Sequence, residues 1–250
     1  MRGYLVRNLG KPLMTNNLRR PPAMLIFALA AIVAVSVARL AGAPSWLALL
    51  AGIVVASLVI VFLENRALGK VKTLLGGQPT AVQDFPRLYN IVDGLCLTHG
   101  INQPELLLLE NKSINIAVAA DRKESVLVIT TGALDTLGLV ELEGLLAHSL
   151  ARCDETKLAT QTREVFWCTF PLGGTSKVNE EQFLLTDQKG VRLTRFPPGL
   201  ALALEQAGST GSFIEGSSTT VNLWVLDPTA AMNASGHPSV ELRSAVLGEL

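Results

Sequence analysis

Charge of one sign, cysteine and histidine are what this sequence has little of. Its 250 residues balance 21 basic against 21 acidic side chains, so no net field exists to attract nucleic acid or a strongly acidic partner. The three cysteines, Cys96, Cys153 and Cys168, are odd in number and lack C-x-x-C spacing. They read first as buried free thiols in a reducing compartment, with a single disulfide or a thiolate metal ligand as lesser readings. There is no G-x-S-x-G elbow for a serine nucleophile, no G-x-x-x-x-G-K loop for phosphates and no internal repeat. Charged residues make up only 17% of the chain while hydrophobic ones reach 49%, and the apolar excess lies near the start.

There, AMLIFALAAIVAVSVA runs without charge from Ala23 until Arg39, and WLALLAGIVVASLVIVFL from Trp46 until Glu64. A span needs about 20 mostly apolar residues. The second run nearly meets that alone, and the first does so if Arg39 snorkels and residues 40–43 are counted. Between them Ala43, Pro44 and Ser45 allow only a tight hairpin. Arg2, Arg7, Lys11, Arg19 and Arg20 precede the first span and Arg66, Lys70 and Lys72 follow the second. The positive-inside rule then predicts a multi-pass protein of the cytoplasmic membrane with both termini cytoplasmic. A cleavable signal peptide ending at AGA, residues 41–43, is the competing reading, but it leaves the second run unexplained. Gly52 and Ala56, four apart, would let another helix pack closely. The expected organisation is a basic N-terminus (1–22), a two-helix membrane hairpin (23–67) and a cytoplasmic domain (68–250).

In that domain, Phe85, Leu88, Ile91, Val92, Leu95 and Cys96 follow helical spacing up to Gly100. PELLLLE reads as a short buried strand, and INIAVAA and SVLVITT as a β-hairpin turning at Asp121-Arg122-Lys123-Glu124. Val140 opens a mostly buried helix, ELEGLLAHSLARCDE. On it His148 and Arg152 share a face, while Ser149 projects about 100° away. A helix is predicted over 179–192 and another after Pro197-Pro198. LWVLDP reads as extended, and a closing helix starts near Pro238. Residues 173–174 and 208–220 read as polar loops. The fold class is α+β: the membrane hairpin, then a mainly helical metalloprotease-like domain with a small antiparallel sheet.

In this order the pieces resemble the HtpX-like membrane zinc endopeptidases, relatives of the CAAX prenyl protease. FPRLYNIVDGLCLTHGI is similar to the family's opening helix. INIAVAA followed by VLVITTGALDTLGLVELEGLLAHSLAR is similar to its edge strand, inner strand and metal helix. LLTDQKGVRLTRFPPGLALALEQ is similar to the segment carrying the third metal ligand, and LWVLDP with GHPSVELRSAVLGEL to its closing element. The resemblance covers roughly residues 84–250. It implies a zinc held by two histidines of an H-E-x-x-H helix and a downstream glutamate, with the glutamate beside the first histidine as general base. His148 matches the first ligand. Ser149 stands where the base belongs, Arg152 where the second histidine belongs, and Phe183, four residues before Asp187, where the third ligand belongs. VFWCTFPLGG has too few apolar residues for the further membrane hairpin that the resemblance implies after the metal helix.

A catalytic zinc wants three protein ligands and an open position, and a guanidinium beside the vacant one opposes a cation. No zinc and no other cofactor is therefore expected. Arg152 is expected to pair with Asp187, or with Glu180 or Glu181, in place of the metal. His99 and His237 are the only other histidines. Three readings follow: an inactive pseudopeptidase acting by peptide or protein binding or scaffolding; a zinc endopeptidase with an atypical ligand set; and a structural subunit of a membrane complex. For the first, the resemblance points to an edge strand, Asn115, Ile116, Ala117, Val118 and Ala119, that could add an extended peptide as a further strand without any metal. The bland alternative is that the loop 208–220 covers it. The expected partners are the lipid bilayer and an extended peptide or membrane protein, with no nucleic acid.

Overall fold

The computed structural model describes residues 21–176, 178–229 and 236–250; the predicted basic N-terminus lies outside the described residues except for its last two positions. Helix α1 (Pro21–Leu40) and helix α2 (Ser45–Asn65) form the expected hairpin, each long and apolar enough to cross a membrane. The turn is held from within: Arg39 donates to Ala43 O at 3.3 Å and to Ser45 Oγ at 3.0 Å. Ala48, Gly52, Ala56 and Ile60 form the buried stripe of α2. A Cβ on Gly52 would stand 2.6 Å from Val35 Cγ2, so this chain's own α1 uses the small-residue face that the sequence offered to a partner helix.

After a break at Arg66, α3 (Ala67–Leu75) turns Leu68, Val71 and Leu75 into the core and ends at left-handed Gly76. α4 (Pro86–His99) starts on a proline and stops at Gly100, φ 67°. The sheet has four strands in the order β1-β2-β4-β3: β1 (Gln78–Pro79), β2 (Glu105–Leu109), β3 (Ile116–Ala120) and β4 (Ser125–Thr130). The β3–β4 hairpin is antiparallel as predicted, its turn closed by Asp121 Oδ1 accepting from the amides of Lys123 and Glu124 at 2.7 and 2.9 Å. The expectation of an antiparallel sheet fails between β2 and β4, which run parallel with Leu107 opposite Val128. The reason is the strand order. β3 turns back at the edge and leaves the place beside β2 to β4, which therefore runs in the same direction as β2.

Among the described residues, six more α-helices complete the domain. α5 (Thr131–Thr136) is capped by Thr130, α6 (Leu139–Cys153) is the buried central helix, and α7 (Thr156–Cys168) was not legible in the sequence. α8 (Glu180–Thr194) is capped by Asn179. α9 (Pro197–Thr210) runs further than the sequence suggested, and α10 (Val240–Gly248) closes the chain with Ser239 as its cap. α6 packs against α4, α8, α9 and the sheet. The α6–α8 crossing is close enough that a Cβ on Gly190 would stand 2.7 Å from His148 Cα. Backbone cannot yield as a flexible side chain does, so Gly190→Ala should lower stability by about 1–3 kcal/mol, read by thermal denaturation of the full chain; an unchanged midpoint would contradict this packing.

Candidate functional site

Asn179 fixes the register of α8 by accepting from Gln182 N at 3.1 Å. One turn on, Phe183, Asp187 and Gly190 follow at spacings of four and three and form the buried face of α8. Opposite them α6 presents His148 and Arg152, both buried; Ser149 is buried too, on another side of the helix. The structure thus brings His148, Arg152, Phe183 and Asp187 together, while Ser149, on another side of α6, does not join them.

Their chemistry differs from the expectation. Ser149 Oγ donates back to Leu145 O at 2.9 Å within its own helix. Asp187 is gripped by Arg243 of α10, whose Nε and Nη2 lie 2.8 and 2.6 Å from its two carboxylate oxygens. Sequence reasoning missed this partner. Its one signal is a cation four residues before Leu247 on the face that α10 buries. Arg152 therefore does not pair with Asp187, and Glu180 and Glu181 stay exposed at the start of α8. Arg152 Nη2 donates to Asn222 O at 2.7 Å and to Gln161 Oε1 at 3.2 Å, and its Nη1 to Leu223 O at 3.0 Å. Planar guanidinium forks match successive acceptors of this kind.

His148 Nδ1 stands 2.8 Å from Asp187 Oδ1. Burial pushes the imidazole's pKa down, the carboxylate of Asp187 pulls against it, and the ring is neutral near pH 7. His148 Nε2 is buried with no hydrogen-bond partner among the described residues. Phe183 packs beside the imidazole. Its ring stacks on His148 at 6.3 Å and meets His237 edge-on at 4.9 Å, and the Arg152 guanidinium carbon lies 5.0 Å from its centroid. Burial lowers the Arg152 pKa to about 10, which leaves it cationic at neutral pH. Burial alone would raise the Asp187 pKa, but Arg243 and His148 hold it at about 2.

A tetrahedral zinc does not fit these residues. The lone pair on His148 Nε2 is one ligand; the neighbouring positions hold a hydroxyl turned to its own backbone, a guanidinium and a phenyl ring. No group of three His, Cys, Asp or Glu suited to a metal occurs among the described residues. His237, also buried, donates to Trp224 O at 3.2 Å. His99 is exposed at the end of α4 and donates to Leu193 O at 2.9 Å.

The expected peptide edge is covered, by residues just beyond the loop 208–220. Val225 N donates to Ile116 O at 2.8 Å and Leu226 N to Asn115 Oδ1 at 3.1 Å, while Ala117 bridges Trp224. Asn115 Nδ2 donates to Ser212 O and Leu226 O. Ile116, Ala117, Val118 and Ala119 are fully buried. The carbonyls of residues 222–225 are taken in turn by Arg152, His237 and Arg243, the last donating to Val225 O at 2.8 Å. This strip lies between the sheet edge and the cationic cluster.

The described residues thus form two apolar helices and a mostly helical domain with a small sheet, whose buried central helix carries His148 against Asp187. The chain is HtpX-like at the level of the family. It is 26% identical over 243 residues to the "Protease HtpX homolog" of Dictyoglomus turgidum, covering 77% of this chain and 80% of that one. It is 25% identical over 241 residues to the protein of the same description from Dictyoglomus thermophilum, with 77% and 80% covered. The one from Tropheryma whipplei strain Twist is 25% identical over 229 residues, with 73% and 79% covered. No family model and no solved structure matches the chain.

Two predictions follow from this geometry. His237 ordinarily takes a proton near 6.5 but in the fold only near 4, because burial disfavours the imidazolium. Between those values the unfolded chain binds more protons, so stability should fall as pH drops from 6.5 to 4. Asp187, ordinarily 3.8 and here about 2, extends the loss below that. Thermal midpoints measured against pH should decline through this window, and a flat profile would contradict it. Separately, Arg243→Met should cost about 3–5 kcal/mol because it strands a buried carboxylate, against about 1.5–3 kcal/mol for Arg152→Met, which strands only carbonyls. Denaturant titration of both variants gives the order, and the reverse order would refute the pairing.

Proposed function

We propose that this chain is a membrane-anchored member of the HtpX-like peptidase family that does not hydrolyse peptides and acts by binding or scaffolding a protein partner at the bilayer. The observation that carries the reading is Phe183, wedged between His148, His237 and Arg152 where a zinc-bound family member needs an acidic ligand. Ser149 removes the general base as well, a loss worth about 10²–10⁴ in rate by itself. The hairpin spans the cytoplasmic membrane with both ends of the chain on the cytoplasmic side, and residues 68–250 form a domain at that surface; the lysines and arginines flanking the spans support this orientation.

Strand addition by a peptide would require residues 224–226 to leave the edge of β3, where three hydrogen bonds hold them. A closed edge favours partner binding through the hairpin and the domain surface over capture of extended peptides.

The test is metal content together with proteolysis. Protein purified without chelator and dialysed against buffered zinc should hold well under about 0.1 zinc per chain by elemental mass spectrometry, since one imidazole cannot supply a full ligand set. It should leave casein uncut. Stoichiometric zinc with casein cleavage would replace this reading by that of a zinc endopeptidase with an atypical ligand set. The Ser149→Glu, Arg152→His, Phe183→Glu combination should gain zinc binding if the fold survives, since positions 148 and 152 already face position 183.

A further inference from the structure

The end of α2 meets the soluble domain at a cleft of about 410 Å³ that the peptidase-like site does not use. Val61 and Glu64 line it from the last turn of the span, Asp121, Arg122 and Lys123 from the β3–β4 turn, and Arg163 from α7. Because Val61 belongs to the span and Glu64 is the first charge after it, the cleft lies at the level where hydrocarbon gives way to headgroups. An apolar track leads into it: Val54, Leu58 and Val61 recur at spacings of four and three on one face of α2 and are 55%, 63% and 54% exposed. That face is long enough for an acyl chain to lie along.

The polar end of the cleft carries both signs. Arg122 and Lys123 are exposed at the turn. Arg163 reaches Glu64 only at 3.7 Å, and its Nε is buried without a hydrogen-bond partner among the described residues. The Asp121 carboxylate already accepts from two turn amides but keeps its second oxygen. Three cations beside two carboxylates do not match a purely anionic headgroup. They match a phosphate paired with a primary ammonium, whose three N–H donors can serve carboxylate oxygens. We infer that this cleft binds the headgroup of one aminophospholipid, its phosphate against Arg163, Lys123 and Arg122 and its ammonium against Glu64 and Asp121, with an acyl chain along α2. The inference rests on the bilayer placement of α1 and α2.

The test uses the full chain in detergent, stripped of lipid and offered an equimolar mixture of phosphatidylethanolamine, phosphatidylcholine and phosphatidylglycerol of identical chains, with retained lipid counted by native mass spectrometry. One phosphatidylethanolamine per chain should be retained in about tenfold preference, equivalent to roughly 1.4 kcal/mol. Arg122→Gln with Lys123→Gln, both exposed and harmless to the fold, should lower retention of all three lipids. Glu64→Gln should remove the preference for ethanolamine over choline while keeping retention. Equal retention of the three lipids, a preference for phosphatidylglycerol, or variants that behave as the parent would overturn the inference. Flotation with vesicles separates the two levels: a chain that floats with every composition yet shows no lipid preference loses only the cleft, and one that floats with none loses the membrane reading too.

Discussion

A guanidinium only 3% exposed has to find acceptors, and Arg152 finds them in the main chain. Leaving such a charge unpaired in the interior costs several kcal/mol. No carboxylate takes its Nη groups, because Arg243 holds Asp187 with both of its nearer nitrogens. The carbonyls of Asn222 and Leu223 serve instead, and they draw residues 222–226 down between α6 and the edge of the sheet. The covered edge of β3 and the filled space around Phe183 are two sides of that one arrangement. The Phe183 ring takes part electrostatically as well, since its negative face receives the Arg152 guanidinium at 5.0 Å.

Much of the fold was readable because its signals are local. Gly100 ends α4 in the left-handed conformation that glycine adopts without strain, and Asp121 closes the β3–β4 turn through its own carboxylate. Asn179 and Ser239 cap α8 and α10 close to where the sequence placed their starts. Helix α7 was missed. TKLATQTR is polar enough to hide its period, and the buried side is made by Leu158, Thr162, Val165 and Phe166. The parallel pairing of β2 with β4 was missed too, since strand order is decided by packing between segments far apart in the chain.

The site divides along the same line. That His148, Arg152, Phe183 and Asp187 would meet followed from helical spacing once two helices were in register. Which of them would bond to which did not follow, because Arg152 and Arg243 compete for Asp187 and the outcome depends on how α10 docks. The acceptors that Arg152 uses are backbone atoms, which no side-chain pattern announces. The stripe at Gly52 misled in a related way: spacing identified a close helix contact but not that the partner is the neighbouring helix of the same chain.

The central claim is that the space beside His148 Nε2 belongs to Phe183 and not to a metal. Anomalous diffraction at the zinc edge, from crystals of the full chain soaked in excess zinc, tests it most directly. The account predicts no anomalous peak at that nitrogen and a phenyl ring stacked on the imidazole. A peak at a bonding distance of about 2.0–2.1 Å from Nε2, with Phe183 swung aside and further ligands completing a tetrahedron, would contradict it.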